Sequence, residues 1–325
     1  MSDRSRRGKD RSLDIMSKAF ARTLLTLSVS CSLLLTFINV TVGQQVADPN
    51  FNAKVEHPAY TQKHPRVLFD EAHNNFHTAG GRYKAFADLV TNDGYQVAPN
   101  VQKFSKGTLS GYDVLVIANP LGAPVENGFA AANKPAFTDA ECEAVRAWVS
   151  GGGSLLLIAD HYPVGAAAGN LAKAFGVDMS NAYTDDPANY DPQLGQILFA
   201  RTNKLLLDHP ITRGRNQTER VTRIVTFTGQ SLLGPKGSVP FLKLADTAID
   251  EIPPERKTRV SAAGRAQGIA LTLGKGRVVV LGEAAMLTAQ LAGPEKAPFG
   301  GLSVSSIDNR QLALNIMHWL TKLLN

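Results

Sequence analysis

Polar and ionisable side chains follow four apolar runs of this sequence. Asp160 and His161 come directly after LLLIA in the segment ADHYP, and Glu283 comes after VVVL in the segment GEAAM. Other polar residues in comparable positions are Asp70, Glu71, His73 and Asn74 after VLF, Asn119 after VLVIA, and Gln290 shortly beyond Glu283. Such groups are costly to bury unless they serve one another or a ligand. We therefore predict a polar site in which Asp160, His161 and Glu283 are the catalytic candidates and the other six residues are ligand-binding candidates.

These residue types allow more than one chemistry. His73, Asp160 and His161 suit a divalent metal such as zinc, which would activate a water molecule. Without a metal, Asp160 and Glu283 could act as a carboxylate acid/base pair on a sugar. Each residue alone also has a structural explanation, because an aspartate can cap a helix and a buried histidine can fix a loop. The function we predict is binding of a small ligand, such as a carbohydrate or a peptide. The alternatives are a hydrolase that uses the same pocket and a structural component of an envelope assembly.

The elements that would position these residues are strands alternating with helices. Strands are predicted near residues 67–69, 95–97, 113–118, 155–159, 268–273 and 277–281, and helices near 83–90, 139–150, 166–175 and 309–324. This alternation predicts an α/β fold with a mainly parallel central sheet and helices on both faces. The pattern lapses at about 178–265, where we expect an irregular insertion with short strands at 197–200, 223–227 and 241–244. The parallel pattern is expected to resume with the strands at 268–273 and 277–281. In such folds, ligands bind beyond the carboxyl ends of the strands.

The first 43 residues have the pattern of a secretory signal. Basic residues precede an uncharged apolar stretch from Thr23, and the small residues Thr41 and Gly43 stand before a possible cleavage site at Gln44. An uncleaved anchor is the alternative, because about 20 apolar residues can span a bilayer. We therefore predict a signal peptide or N-terminal anchor at 1–43, a linker at 44–64 and one α/β domain at 65–325. The expected location is the periplasm or the extracellular space.

Charge and cysteine content exclude several classes of protein. The formal charge of +6 arises mainly in residues 1–43, which hold seven basic and three acidic residues, whereas the remainder has 27 against 25. This near-neutral body predicts no nucleic-acid partner, and membrane contact only through the N-terminal segment. Of the two cysteines, Cys142 follows a capping box formed by Thr138 and Glu141, and its helical spacing places it in the core. The sequence also lacks the P-loop, dinucleotide-binding, nucleophile-elbow and zincin motifs.

Four segments together resemble a known superfamily. DVLVIANP, GGSLLLIADHYP, GRVVVLGEAAM and NRQLALNIMHWL are similar to the class I glutamine-amidotransferase-like superfamily, in particular to its bacterial proteins of unknown function with a gliding-motility or ABC-auxiliary type of domain. The resemblance covers about residues 65 to 325 and implies a flavodoxin-like three-layer sandwich. The turn that carries the nucleophilic cysteine in true amidotransferases reads Asp160-His161-Tyr162-Pro163 here. Because a thioester route needs that cysteine, the resemblance does not imply amidotransferase activity.

Overall fold

The computed structural model of the protein describes residues 45–325. The predicted signal peptide or anchor at 1–43 therefore lies outside the described residues. Within 45–325, no helix is long and apolar enough to cross a membrane.

The strands and helices of the described residues follow the predicted alternation. The strands are β1 (Val46–Ala47), β2 (Arg66–Asp70), β3 (Gln96–Asn100), β4 (Val114–Ala118), β5 (Ser154–Ile158), β6 (Asp178–Met179), β7 (Tyr183–Asp185), β8 (Leu198–Ala200), β9 (Arg223–Val225), β10 (Leu232–Leu233), β11 (Val239–Lys243), β12 (Ile249–Ile252), β13 (Thr258–Ser261), β14 (Ala266–Leu273), β15 (Gly276–Leu281), β16 (Gln290–Ala292) and β17 (Ala297–Phe299). The α-helices are α1 (Lys84–Asn92), α2 (Lys106–Leu109), α3 (Phe129–Ala132), α4 (Asp139–Gly151), α5 (Val164–Ala174), α6 (Pro210–Arg213) and α7 (Asn309–Leu320).

Five parallel strands form one half of the central sheet, in the spatial order β3-β2-β4-β5-β15. Numbered along the chain within this half, that order is 2-1-3-4-5, the arrangement of flavodoxin-like folds. All five residues of β4 and of β5 are buried, as expected for parallel strands covered on both faces. The predicted α/β fold with a mainly parallel sheet is confirmed.

The other half of the sheet is antiparallel, which corrects one prediction. We expected the segment at 268–273 to continue the parallel pattern, but β14 pairs antiparallel with β15, with Leu273 opposite Gly276. The reason is the connection, because only Gly274 and Lys275 separate the two strands. A parallel pair needs a crossover of a dozen or more residues, whereas two residues suffice for a hairpin. Gly274 has a φ of +57°, which suits such a tight turn.

The region at 178–265 is an irregular insertion, as predicted. Strands β6, β10 and β11 extend the central sheet on the antiparallel side, and β7, β12 and β13 form a separate three-stranded sheet. Strands β8 and β9 pair with each other. The insertion therefore extends the central sheet beyond β14 and adds two small sheets of its own.

Helices cover both faces of the central sheet, giving three layers. Helices α1 and α7 contribute Phe86 and Ile316 to one apolar cluster, and α4 and α5 contribute Val145 and Leu171 to the other. The capping box of Thr138 and Glu141 begins α4 as predicted. Cys142 lies buried in the second cluster, and burial, followed by the negative charges of Asp139 and Glu141, raises the pKa of its thiol to about 11. These observations confirm the assignment of Cys142 to the core.

Residues 45–64 differ from the linker that we predicted. Strand β1 pairs with β16, and the hydroxyl of Tyr60 donates a hydrogen bond to Thr321 at 2.7 Å. Asp93 accepts a hydrogen bond from the backbone N–H of Ala59 at 2.8 Å. This segment is packed onto the domain because its backbone finds hydrogen-bond partners in two separate parts of the fold.

Candidate functional site

A cavity of about 300 Å³ lies at the carboxyl ends of the parallel strands. Residues that follow β2, β4, β5 and β15 line this cavity. It adjoins the point between β2 and β4 where the strand order reverses. This is the position at which open α/β sheets bind ligands. Five of the nine predicted site residues line this cavity, namely Asn119, Asp160, His161, Glu283 and Gln290.

Asn119 holds the backbone of Asp160 in place. Its side-chain Oδ1 accepts a hydrogen bond from the Asp160 N–H at 2.9 Å, and its carbonyl accepts one from the N–H of Phe76 at 2.8 Å. Asn119 has a φ of +48°, a left-handed conformation that asparagine tolerates better than most residues. The ends of β2, β4 and β5 are thereby tied together, and Asp160 is left partly exposed in the cavity.

Glu283 belongs to the cavity lining but is almost completely buried, and backbone N–H groups hold its carboxyl group. One carboxyl oxygen accepts a hydrogen bond from the N–H of Ala285 and the other from the N–H of Met286, each at 2.7 Å. Burial and then the negative charge of Asp160 raise the pKa of Glu283 well above its usual value, although these hydrogen bonds act in the opposite direction. The site therefore combines a buried carboxyl group that is harder to ionise than usual with the partly exposed side chain of Asp160.

His161 is oriented by a carbonyl on one side and an aromatic ring on the other. Its Nδ1 lies 2.8 Å from the carbonyl oxygen of Tyr162, and because that oxygen can only accept, Nδ1 donates. In the neutral ring, Nε2 is then an acceptor, and it lies 4.0 Å from Asp160. The imidazole stacks on Tyr183 with ring centres 4.2 Å apart, and the guanidinium of Arg256 lies 4.3 Å from the centre of the Tyr183 ring.

The sequence interpretation missed the aromatic walls of the cavity and His77. The walls consist of Phe76, Phe129, Tyr162, Tyr183, Phe227 and Phe299. His77 is 4% exposed, and burial, followed by the charge of Arg82, lowers the pKa of its imidazole to about 3. Its position soon after β2, next to Phe76, was the available signal. The aromatic residues gave no comparable signal, because most of them stand on loops and insertion strands.

Asp70 and His73 do not line the cavity but form a buried cluster with Glu141. Both oxygens of Asp70 lie 2.9 Å from Nδ1 of His73, and Glu141 lies 2.8 Å from Nε2. Each ring nitrogen of His73 therefore faces a carboxylate. The ring packs between Phe104 and Phe137. These contacts give His73 a structural position beneath the loops.

Glu71 and Asn74 also serve the loop after β2. A carboxylate oxygen of Glu71 accepts a hydrogen bond from the N–H of Ala79 at 2.9 Å, and the side-chain amide of Asn74 donates to the carbonyl of Leu121 at 3.2 Å. The cavity lining does not include either residue. Their hydrogen bonds hold the loop that carries Phe76 and His77.

The metal site that we considered from His73, Asp160 and His161 is not assembled. His73 is enclosed in its own cluster, whereas the other two residues line the cavity. Across residues 45–325, no group of three His, Cys, Asp or Glu side chains is arranged to hold a metal ion. The sequence pattern misled here because His73 and Asp160 both follow parallel strands, but their side chains lie at different depths.

Comparisons with known proteins show similarity in structure only. No protein-family model matches the chain, and no curated protein matches it. The mmIFT52 N-terminal domain aligns with a TM-score of 0.55 at 16% identity, covering 79% of this chain and 97% of that domain. A ThuA-like protein from Parabacteroides merdae gives a TM-score of 0.43 at 11% identity over 81% of this chain and 91% of the other. One from Bacteroides uniformis gives 0.39 at 15% over 81% and 95%.

The ThuA-like proteins have a class I glutamine-amidotransferase-like fold. At these identities the comparisons concern the fold and not the activity. The architecture observed here is a mixed α/β fold with a large, mostly parallel central sheet flanked by helices, and the alignment with the mmIFT52 N-terminal domain concerns this fold alone.

Proposed function

We propose that this protein binds a small, neutral, polyhydroxylated ligand such as a carbohydrate in the cavity. The observation that carries this proposal is the combination of aromatic walls with Asp160, Asn119 and His161 in one cavity. Aromatic rings offer flat apolar faces against which a sugar ring can pack. The carboxylate, amide and imidazole offer hydrogen bonds to hydroxyl groups.

The charge of the cavity supports a neutral ligand over an anionic one. Among the described residues that line it, the acids Asp160 and Glu283 are not matched by any lysine or arginine. Two guanidinium groups outside the lining contact residues of the lining, and each already has a partner. Arg82 lies 4.0 Å from the centre of the Phe76 ring and donates to the carbonyl of Gln45, whereas Arg256 is paired with Glu251. A phosphate or carboxylate group would therefore meet negative charge.

Isothermal titration calorimetry with methyl glycosides of glucose, galactose and mannose tests the proposal. We expect Asp160→Asn to weaken binding about tenfold, because a hydrogen bond to a charged group contributes about 1.5–3 kcal/mol. Phe129→Ala should weaken it about fivefold through the loss of ring packing. The matched controls are Asp246→Asn and Tyr190→Ala, exposed residues outside the cavity. If none of the three glycosides binds, or if the controls weaken binding equally, the proposal is wrong.

A hydrolase is the second candidate, because Glu283, whose pKa is raised by burial and then by the negative charge of Asp160, lines the same cavity as Asp160. In that reaction Glu283 would protonate the leaving oxygen, and Asp160 would attack the sugar or activate a water molecule. However, both oxygens of Glu283 accept backbone hydrogen bonds, which gives the side chain a structural task and favours binding. Release of nitrophenol from nitrophenyl glycosides, abolished by Glu283→Gln but not by Asp246→Asn, would establish hydrolysis.

We also propose that the protein is exported, on the basis of the pattern at residues 1–43. Mass spectrometry of the protein from the native envelope fraction should find a chain that begins near Gln44. An intact start at Met1 or Met16 in the membrane pellet would indicate an anchor instead.

A further inference from the structure

Two residues that line the cavity each carry a buried polar atom with no hydrogen-bond partner among the described residues. These atoms are Nδ1 of His77 and Oε1 of Gln290. Across residues 45–325, the other side-chain atoms in this condition are Nε2 of Gln267 and Nδ1 of His318, which belong to residues outside the cavity lining. Buried polar atoms are normally paired, so each exception calls for an explanation. For His77 and Gln290, their shared place in the lining of one cavity suggests an explanation.

Neither of these two side chains is charged, and together they can donate as well as accept hydrogen bonds. Because the imidazole of His77 is uncharged, it carries one donor and one acceptor nitrogen. Gln290 donates from Nε2 to the hydroxyl of Thr288 at 2.8 Å, which leaves Oε1 as an acceptor. The pair therefore offers a ligand acceptor atoms and one possible donor atom, and it carries no formal charge.

We propose that His77 and Gln290 form a subsite that binds adjacent hydroxyl groups of a neutral sugar, and this inference rests on the proposed function. A hydroxyl both donates and accepts, so it matches this mixture. An anion needs donors alone, and an oxygen that only accepts, such as an ether, cannot satisfy Oε1 of Gln290. An ammonium group needs acceptors alone, whereas the neutral imidazole of His77 also carries a donor nitrogen.

The proposal predicts discrimination between sugars that differ by one hydroxyl. A site built to hydrogen-bond a hydroxyl rejects the analogue without it, because the buried partner is then left unpaired. We expect at least one monodeoxy form of the methyl glycoside that binds best to bind about tenfold or more weakly to the wild-type protein. The same deoxy sugar should lose little affinity with Gln290→Met or His77→Phe, in which the unpaired atom is absent.

Thermal melts of the ligand-free proteins separate this role from a structural one. Gln230 is the matched control, because it is a buried glutamine whose Oε1 accepts from Asn181 and whose Nε2 donates to Ala159 and Asp160. Gln230→Met should lower Tm by several degrees because it leaves buried partners unpaired. His77→Phe should stay within about 2 °C of the wild type, since it removes an atom that had no partner. Gln290→Met should lower Tm less than Gln230→Met does, because it loses only the hydrogen bond to Thr288.

The calorimetric outcomes separate this inference from the proposed function. Loss of deoxy discrimination in Gln290→Met, with a smaller fall in Tm than in Gln230→Met, supports the subsite. Equal discrimination by wild type and both variants overturns the subsite while leaving sugar binding established, as does a fall in Tm equal to that of Gln230→Met. Failure of the wild type to bind any of the three glycosides overturns the proposed function and the subsite together.

Discussion

Glu141 is expected to contribute a large, pH-dependent part of the stability of this fold. Burial alone would raise its pKa, but hydrogen bonds from Thr138, His73 and Phe104 outweigh burial and lower the pKa from 4.5 to about 2. At about 1.4 kcal/mol for each pH unit, this difference corresponds to about 3 kcal/mol at pH 7. Removing one partner of a buried ion pair has a similar cost, about 3–5 kcal/mol. We therefore expect Glu141→Gln to lower the free energy of unfolding by about 3 kcal/mol at pH 7.

The pH dependence gives the sharper test. Because the folded-state pKa is below the unfolded one, the stabilisation is fully present above about pH 4.5 and is lost as the pH falls towards 2. Urea denaturation of wild type and Glu141→Gln should give a difference that shrinks to about half between pH 7 and pH 3. Glu143→Gln, an exposed change on the same helix, is the control and should change stability little at either pH. A difference for Glu141→Gln that matches this control, or one that is unchanged at pH 3, would refute the reasoning.

Three further experiments test other parts of the structure. Cys142→Ala should cost on the order of 1 kcal/mol and leave sugar binding intact, as measured by denaturation and calorimetry; rapid reaction of the folded protein with a thiol reagent would contradict the burial of the thiol. The ring resonances of His77 should not shift between pH 8 and pH 5 in NMR spectra, because its pKa is about 3. Gly229→Ala should cost at least about 2 kcal/mol and weaken binding, because a Cβ there would lie 2.8 Å from Glu283; Gly237→Ala, also at positive φ but in open space, should cost less.

The parallel half of the fold was predictable because its signals are local. The continuous apolar runs of β4 and β5, the capping box at Thr138 and the spacing of apolar residues in α7 each reflect burial within a single element. The direction of β14 was less evident, since its apolar run would suit either orientation and only the short connection to β15 decides it. The pairing of β1 with β16 could not be foreseen, because a two-residue strand leaves no periodic pattern.

The sequence predicted where the candidate site lies, but not which residues form it. The carboxyl ends of parallel strands meet at one edge, so Asp160 and Glu283 were expected near each other, and both line the cavity. The sequence could not show that His73 would turn towards Glu141 on α4, because that contact joins residues 68 positions apart. Conversely, His77 resembled any loop histidine until its burial and its unpartnered Nδ1 were visible.

The division of the cavity between strand ends and insertion has a consequence for specificity. Asn119, Asp160 and Glu283 follow central strands, so their positions depend on the sheet, which is buried and rigid. Tyr183 on β7 and Phe227 after β9 come from the insertion, and they meet the strand-end residues directly, as in the stacking of Tyr183 on His161. Substitution of the Tyr183 or Phe227 side chain can therefore reshape the apolar walls, whereas Gly229 and Gln230 of the same insertion contact Glu283 and the Asp160 backbone. On this view, the sheet determines which hydrogen bonds the ligand receives, and the insertion determines which ligand shapes fit.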